Sequence, residues 1–126
     1  GSMDDISGYD DGIKAIYEEA LNAERYLLTY INARHNIAPN PPPVDAFQEG
    51  LHIDEYLRYA DSVWDQRRIN NINQHFISAF LGLKLKSEES NLKHLEASSF
   101  SDEKPWEGFL PRTSIGLELE YQAERD

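Results

Sequence analysis

Apolar residues recur at helical spacing over much of this chain, and three stretches carry the pattern. Ile13, Ile16, Tyr17, Ala20, Leu21, Leu27, Leu28 and Ile31 form the first stripe. Asp10 or Asp11 can cap it, Glu18 and Glu19 sit in its early turns, and Arg34 and His35 lie at the far end, where positive charge suits the helix dipole. The pattern predicts a helix from about Asp11 to Asn36. Ala38 to Pro43 reads A-P-N-P-P-P, which neither a helix nor a central strand can contain, and predicts a stiff polyproline connector. A further helix is expected to begin within Val44 to Gly50, with Asp45 in its first turn.

The stretch from Leu51 to Leu85 holds most of the large apolar residues and is the expected centre of the core. In its first half Ile53, Leu57, Ala60 and Trp64 recur as on an amphipathic helix, with Asp54, Arg58, Asp61, Asp65 and Arg68 on an adjoining stripe. In its second half Ile69, Ile72, Phe76, Phe80 and Leu83 form another stripe, about 120 to 150° round from the first. One straight helix would have to bury two faces. Asn70, Asn71 and Asn73 compete with the helical backbone for hydrogen bonds, so the pattern favours a break there over a continuous helix covered from two sides.

Leu81 to Lys86 and Ile115 to Glu120 repeat one alternating pattern, L-G-L-K-L-K and I-G-L-E-L-E, with the charges exchanged. Laid antiparallel they predict a two-stranded ribbon of about 81–86 with 115–121, lysines opposing glutamates. The rival assignment keeps Leu83 in the central helix and makes Leu117 to Arg125 a terminal helix. Between them Ser87, Glu88 and Glu89 open a short helix with Leu92, Leu95 and His94 facing inward. The irregular stretch from Ser98 to Arg112 holds Phe100, Trp106, Phe109 and Leu110, and is expected to fold back onto the core. The sum is a mainly α fold: a three- or four-helix bundle-like domain with a small ribbon. Residues 1–12 are expected as a flexible acidic arm in which Gly1 and Ser2, ahead of Met3, read as an expression remnant, and residues 13–126 as a single helical domain.

A chain of 126 residues can bury a core without covalent staples, and the absence of cysteine excludes disulfides, thiolate metal sites and cysteine nucleophiles. No secretory signal and no apolar run of membrane-spanning length follows Met3, so a soluble, intracellular or cytoplasmic protein is expected. The net charge of −11, from 23 acidic and 12 basic residues, argues against direct nucleic-acid binding and suits a partner with a basic surface.

No phosphate loop, dinucleotide fingerprint or nucleophile elbow is present, and no cofactor is expected. Glu49-Gly50-Leu51-His52 fits the E-x-x-H pattern of carboxylate-bridged metal bundles, but it occurs once where such a site needs it twice, so no metal is expected. On a continuous helix Arg68, Asn71 and His75 share one face, and this spacing resembles the arginine-to-histidine signature of the HEPN superfamily, small all-helical proteins of which many cleave RNA as dimers. The resemblance implies a ribonuclease with Arg68 and His75 catalytic and Asn71 as a polar helper. The residues themselves favour a different expectation, in which aromatics ringed by acid act as interface anchors. Asp54, Tyr56, Tyr59, Asp61, Asp65 and Trp106 are then the partner-binding set of a non-catalytic inhibitor, immunity-type or adaptor protein. A structural subunit that self-associates through the Trp106 segment is the third expectation.

Overall fold

The computed structural model describes residues 1–37, 50, 52–56, 58, 60–96, 98–99 and 106–125. A π-helical turn, Tyr9–Lys14, runs into the short α1, Ala15–Glu19, and is followed by β1, Arg25–Tyr30. Next come α2, Ile53–Tyr56, the long α3, Gln66–Lys86, and a 3-10 turn, Glu89–His94. The two-residue β2, Ser98–Ser99, and β3, Leu117–Gln122, complete the described elements. The sheet is antiparallel in the order β1-β3-β2.

This is a sheet between helical layers and not a helix bundle, which corrects the mainly α expectation. The antiparallel ribbon is present with a different partner: β3 lies where the alternation placed it, but Tyr30 pairs with Leu117, Leu28 with Leu119 and Tyr26 with Tyr121 on β1. Leu81 to Lys86 forms the last turns of α3. The helix expected over 11–36 stops at Glu19, because Arg-Tyr-Leu-Leu-Thr-Tyr is rich in aromatic and β-branched residues that pack well on a pleated surface. Ile16 and Leu21, counted in its stripe, are exposed.

Directly opposed residues on neighbouring strands share a face, so the pairing sorts the side chains. Tyr26, Leu28, Tyr30, Leu117 and Leu119 lie on the side of α3, with Tyr26 edge-on to Phe80 and Tyr30 edge-on to Trp64. Arg25, Leu27 and Thr29 face the other way, beside Gln122, Glu120 and Glu118. There the Tyr9 hydroxyl lies 3.0 Å from that of Thr29, and the Arg25 guanidinium lies over the Tyr17 ring. The segment from Tyr9 to Glu19 therefore covers the outer face of β1.

The apolar stripe of α3 is Ile69, Ile72, Phe76, Ala79 and Leu83, all buried, which is the spacing of one helical face. Trp64, Leu95 and Trp106 join it in the core and Phe109 packs against the cluster, so Trp106 and Phe109 fold back, while Leu110 stays exposed. At roughly 1.5 to 3 kcal/mol for each large side chain removed from water, this stripe is the main source of stability. The helix runs unbroken through the asparagines. Asn73 takes the Tyr30 hydroxyl on Oδ1 at 2.7 Å and donates through Nδ2 to the Ile37 carbonyl at 2.8 Å, so its amide is satisfied by tertiary partners and does not compete with the helix. Asp65 caps the first turn by accepting the Arg68 amide at 2.9 Å, and Ser87 ends the helix in the left-handed region.

The single amphipathic helix expected over the first half of the central stretch is also corrected. Among its described residues only Ile53–Tyr56 is helical, and Asp61 builds a turn further on. Its Oδ1 accepts the amides of Val63 and Trp64, each at 2.8 Å, and its Oδ2 accepts that of Arg34 at 2.7 Å. This fixes Trp64, whose indole donates to the Ile31 carbonyl at 2.9 Å. Gly116, at φ +84°, lies where a Cβ would come 2.9 Å from the same indole. The polyproline stretch, positions 44–49 of the expected helix, Leu57, Tyr59 and Phe100 lie outside the described residues. Among the described residues no helix is long and apolar enough to cross a membrane.

Asp61→Ala strands three backbone donors around Trp64 at once. It should destabilise the fold by about 2 to 4 kcal/mol, read as a lower urea midpoint with an unchanged slope. A loss under about 0.5 kcal/mol would show that water replaces the carboxylate.

Candidate functional site

Arg68, Asn71 and His75 all line one groove of about 710 Å³ between α3 and the segment from Gly108 to Thr113. The continuous helix brings them together, as the second of the two readings of that stretch required. Arg68 and His75 are two turns apart, about 10 Å along the axis. The guanidinium of Arg68 is engaged by main-chain carbonyls. It donates to the carbonyls of Thr113 at 3.1 Å and Ile115 at 2.7 Å, and it lies 4.2 Å from the Trp64 ring centroid. It thus ties the loop entering β3 to the head of α3. Burial draws its pKa down, against the opposing pull of Tyr30 and Asp65.

The His75 ring meets Phe109, Phe76 and His94 edge-on, with centroids 4.6, 5.0 and 5.0 Å away. Its Nε2 is buried and has no hydrogen-bond partner among the described residues. Gly108 packs directly over the ring, where a Cβ would come 2.9 Å from Cε1. Burial, and secondarily the charge of His94, lower the pKa of His75, so the ring is held neutral. The His94 Nδ1 lies 3.2 Å from the Glu107 carbonyl, which can only accept, so that nitrogen carries the proton.

A second constellation brings a serine, a histidine and an aspartate together. The His35 Nδ1 lies 3.1 Å from both carboxylate oxygens of Asp4 and 3.5 Å from the Ser7 hydroxyl. Nucleophile activation needs the serine on one ring nitrogen and the carboxylate on the other. Here both face Nδ1, whose proton is directed at the carboxylate and leaves no lone pair for the serine. Asp4 is instead a fastener. Burial alone pushes its pKa up, but the amides of Ser7 and Ile6 and the His35 ring together carry it below the usual carboxylate range. Sequence reasoning could not have found this pair, because the partners are 31 residues apart with no shared motif.

The expected partner-binding residues are dispersed. Trp106 is buried, its indole donating to the Glu96 carbonyl at 3.0 Å, and its ring tilts toward Phe109. Asp61 and Asp65 hold backbone amides. Asp54 and Tyr56 lie on the short α2, with the Asp54 carboxylate exposed and 3.3 Å from His52. Glu49 and Leu51 of the E-x-x-H pattern lie outside the described residues. Among the described residues no group of three or more histidines and carboxylates is placed to hold a metal ion. Comparison with family models, curated proteins and solved structures finds no match to this chain.

The neutral His75 yields a pH dependence of determined sign. Its folded pKa lies below the unfolded value of about 6.5, so on acidification the unfolded chain takes up this proton first and stability falls. The loss begins near pH 6.5 and is complete below the folded pKa. His75→Phe keeps a ring of similar shape without a proton to bind, so urea midpoints at pH 7.5 and 5.5 should differ less in the variant than in the parent. Equal differences would mean that the ring titrates as freely folded as unfolded.

Proposed function

We propose that this chain is a non-catalytic protein-binding module whose carboxylate-rich face receives a basic surface on a partner protein. One observation carries the reading. Six acidic residues share the outer layer, where Asp10, Asp11, Glu18 and Glu19 are exposed on the segment covering β1, and Glu118 and Glu120 lie on the outer face of β3. None of the six forms an ion pair among the described residues, whereas Asp5, Glu24 and Glu107 pair with Arg34, Lys84 and Lys93.

The arginine nearest them does not neutralise them. Arg25 directs its guanidinium at the carbonyls of Tyr17, Ala23 and Ala123 and at the Gln122 amide oxygen, which are neutral acceptors. The field of the carboxylates is therefore left for an incoming cationic surface, which it would steer and orient. Asp54 and Glu55, exposed on α2, add to the acid available elsewhere. Trp106 and Asp61 drop out of the contact set because the fold uses them.

The test is capture of partners from a cell extract at low and high salt, by the parent chain and by a variant carrying Asp10→Asn, Asp11→Asn, Glu118→Gln and Glu120→Gln. A basic protein should be retained by the parent, lost several-fold in the variant, and released as salt screens the face. Retention by both chains alike would remove the outer layer as the contact surface. RNA cleavage by the parent that His75→Ala abolishes would replace this reading with the ribonuclease.

A further inference from the structure

The same groove that holds Arg68 and His75 contains two arginines that the fold does not use. Arg67 lies in the first turn of α3 and Arg112 on the segment opposite, and both are exposed and line the groove. Neither makes a hydrogen bond or ion pair among the described residues, although carboxylates outnumber lysines and arginines 23 to 12 in the chain. Among the described residues the only carboxylate lining the groove is Asp65, whose Oδ1 accepts the Arg68 amide. Arg67 and Arg68 occupy the first turn of α3, directly after the Asp65 cap.

The floor of the groove narrows the chemistry. The half-buried Phe109 ring and the exposed Leu110 side chain, which line the groove with the two arginines, supply apolar surface. We propose that the groove binds a small organic phosphate, its phosphate held between Arg67 and Arg112 and its carbon skeleton laid on Phe109. Two guanidinium forks approaching from different elements match the three terminal oxygens of a phosphate, whereas the two oxygens of one carboxylate are filled by a single fork. The volume of about 710 Å³ is that of a small-molecule site. A long polyanion is disfavoured, because it would extend past the groove over a molecule of net charge −11.

The test is a titration of the full chain, followed by NMR, with phenyl phosphate, inorganic phosphate and benzoate as probes. Phenyl phosphate should shift Arg67, Phe109 and Arg112 saturably and bind more tightly than either of the others. Arg67→Ala and Arg112→Gly should each weaken it about tenfold, the loss of one charge-assisted contact. Glycine suits position 112 because the backbone there has φ 69°. A thermal melt confirms that each variant is folded, and if Arg112→Gly is not, Arg67→Ala decides alone.

Shifts that fail to saturate, or that persist in the variants, would overturn the site. Benzoate binding as tightly as phenyl phosphate would overturn the choice of phosphate, and inorganic phosphate doing so would overturn the organic skeleton. None of these outcomes bears on the acidic outer layer, which shares no residue with the groove.

Discussion

Tyr30 is the point at which the layers of this protein are locked together. It is fully buried, and burial drives its pKa far above the ordinary value, so the hydroxyl keeps its proton and must donate it inside the core. Asn73 on α3 accepts it, which fixes the position of the helix along the sheet. The ring meets Trp64 edge-on with centroids 4.9 Å apart, and the Tyr30 carbonyl accepts the Ser2 amide at 3.0 Å. One residue therefore joins the strand, the helix, the indole and the N-terminal segment. A slip of one residue in the β1–β3 register would turn Tyr30 to the outer face and strand the Asn73 acceptor, so this contact also specifies the pairing.

Legibility in the sequence followed from how each residue's periodicity was resolved. The stripe from Ile69 to Leu83 could be read because it sustains a helical period over four turns, which no strand can imitate. Arg25 to Tyr30 could not, since Leu27, Leu28 and Ile31 satisfy a helical stripe as well as Tyr26, Leu28 and Tyr30 satisfy alternation. What decides between them is β3, nearly ninety residues downstream. The alternating pattern at 117–122 was visible, but its partner was not, because the copy at 81–86 resembles a complementary strand while its own helix supplies every backbone acceptor. The asparagines misled in the opposite sense: they were weighed as local competitors, and Asn73 was instead a tertiary ligand of Tyr30. Of the candidate site, the shared groove of Arg68, Asn71 and His75 was legible from spacing. The engagement of Arg68 with the Thr113 and Ile115 carbonyls was not.

The arginines show why charge counts alone say little about function. Arg25, Arg67 and Arg68 carry the same group and have different fates. Arg25 is held by three main-chain carbonyls and the Gln122 amide oxygen, and Arg68 by two main-chain carbonyls, which makes both pieces of the scaffold. A guanidinium has five donors in a fixed plane, and turning it to a ligand gives up the contacts those donors already make. Arg67 has no such engagement. The distinction lies in what surrounds each planar fork, and only the folded chain supplies that.

The acidic outer layer and the cationic groove can coexist because the fold keeps them apart. The carboxylates of β3 lie on the face of the sheet turned away from α3, whereas the groove opens beside the head of α3. At physiological ionic strength the Debye length is about 8 Å, so exposed charges farther apart than that are largely screened from one another. Each surface then responds to its immediate neighbours. At low ionic strength the screening length approaches the thickness of the molecule, and the outer carboxylates would begin to oppose an anion in the groove while still attracting a cationic surface to their own side. Lowering the salt should therefore strengthen contacts at the outer layer while blunting the gain at the groove. A tertiary arrangement that mixed the same charges over one surface could not produce this divergence.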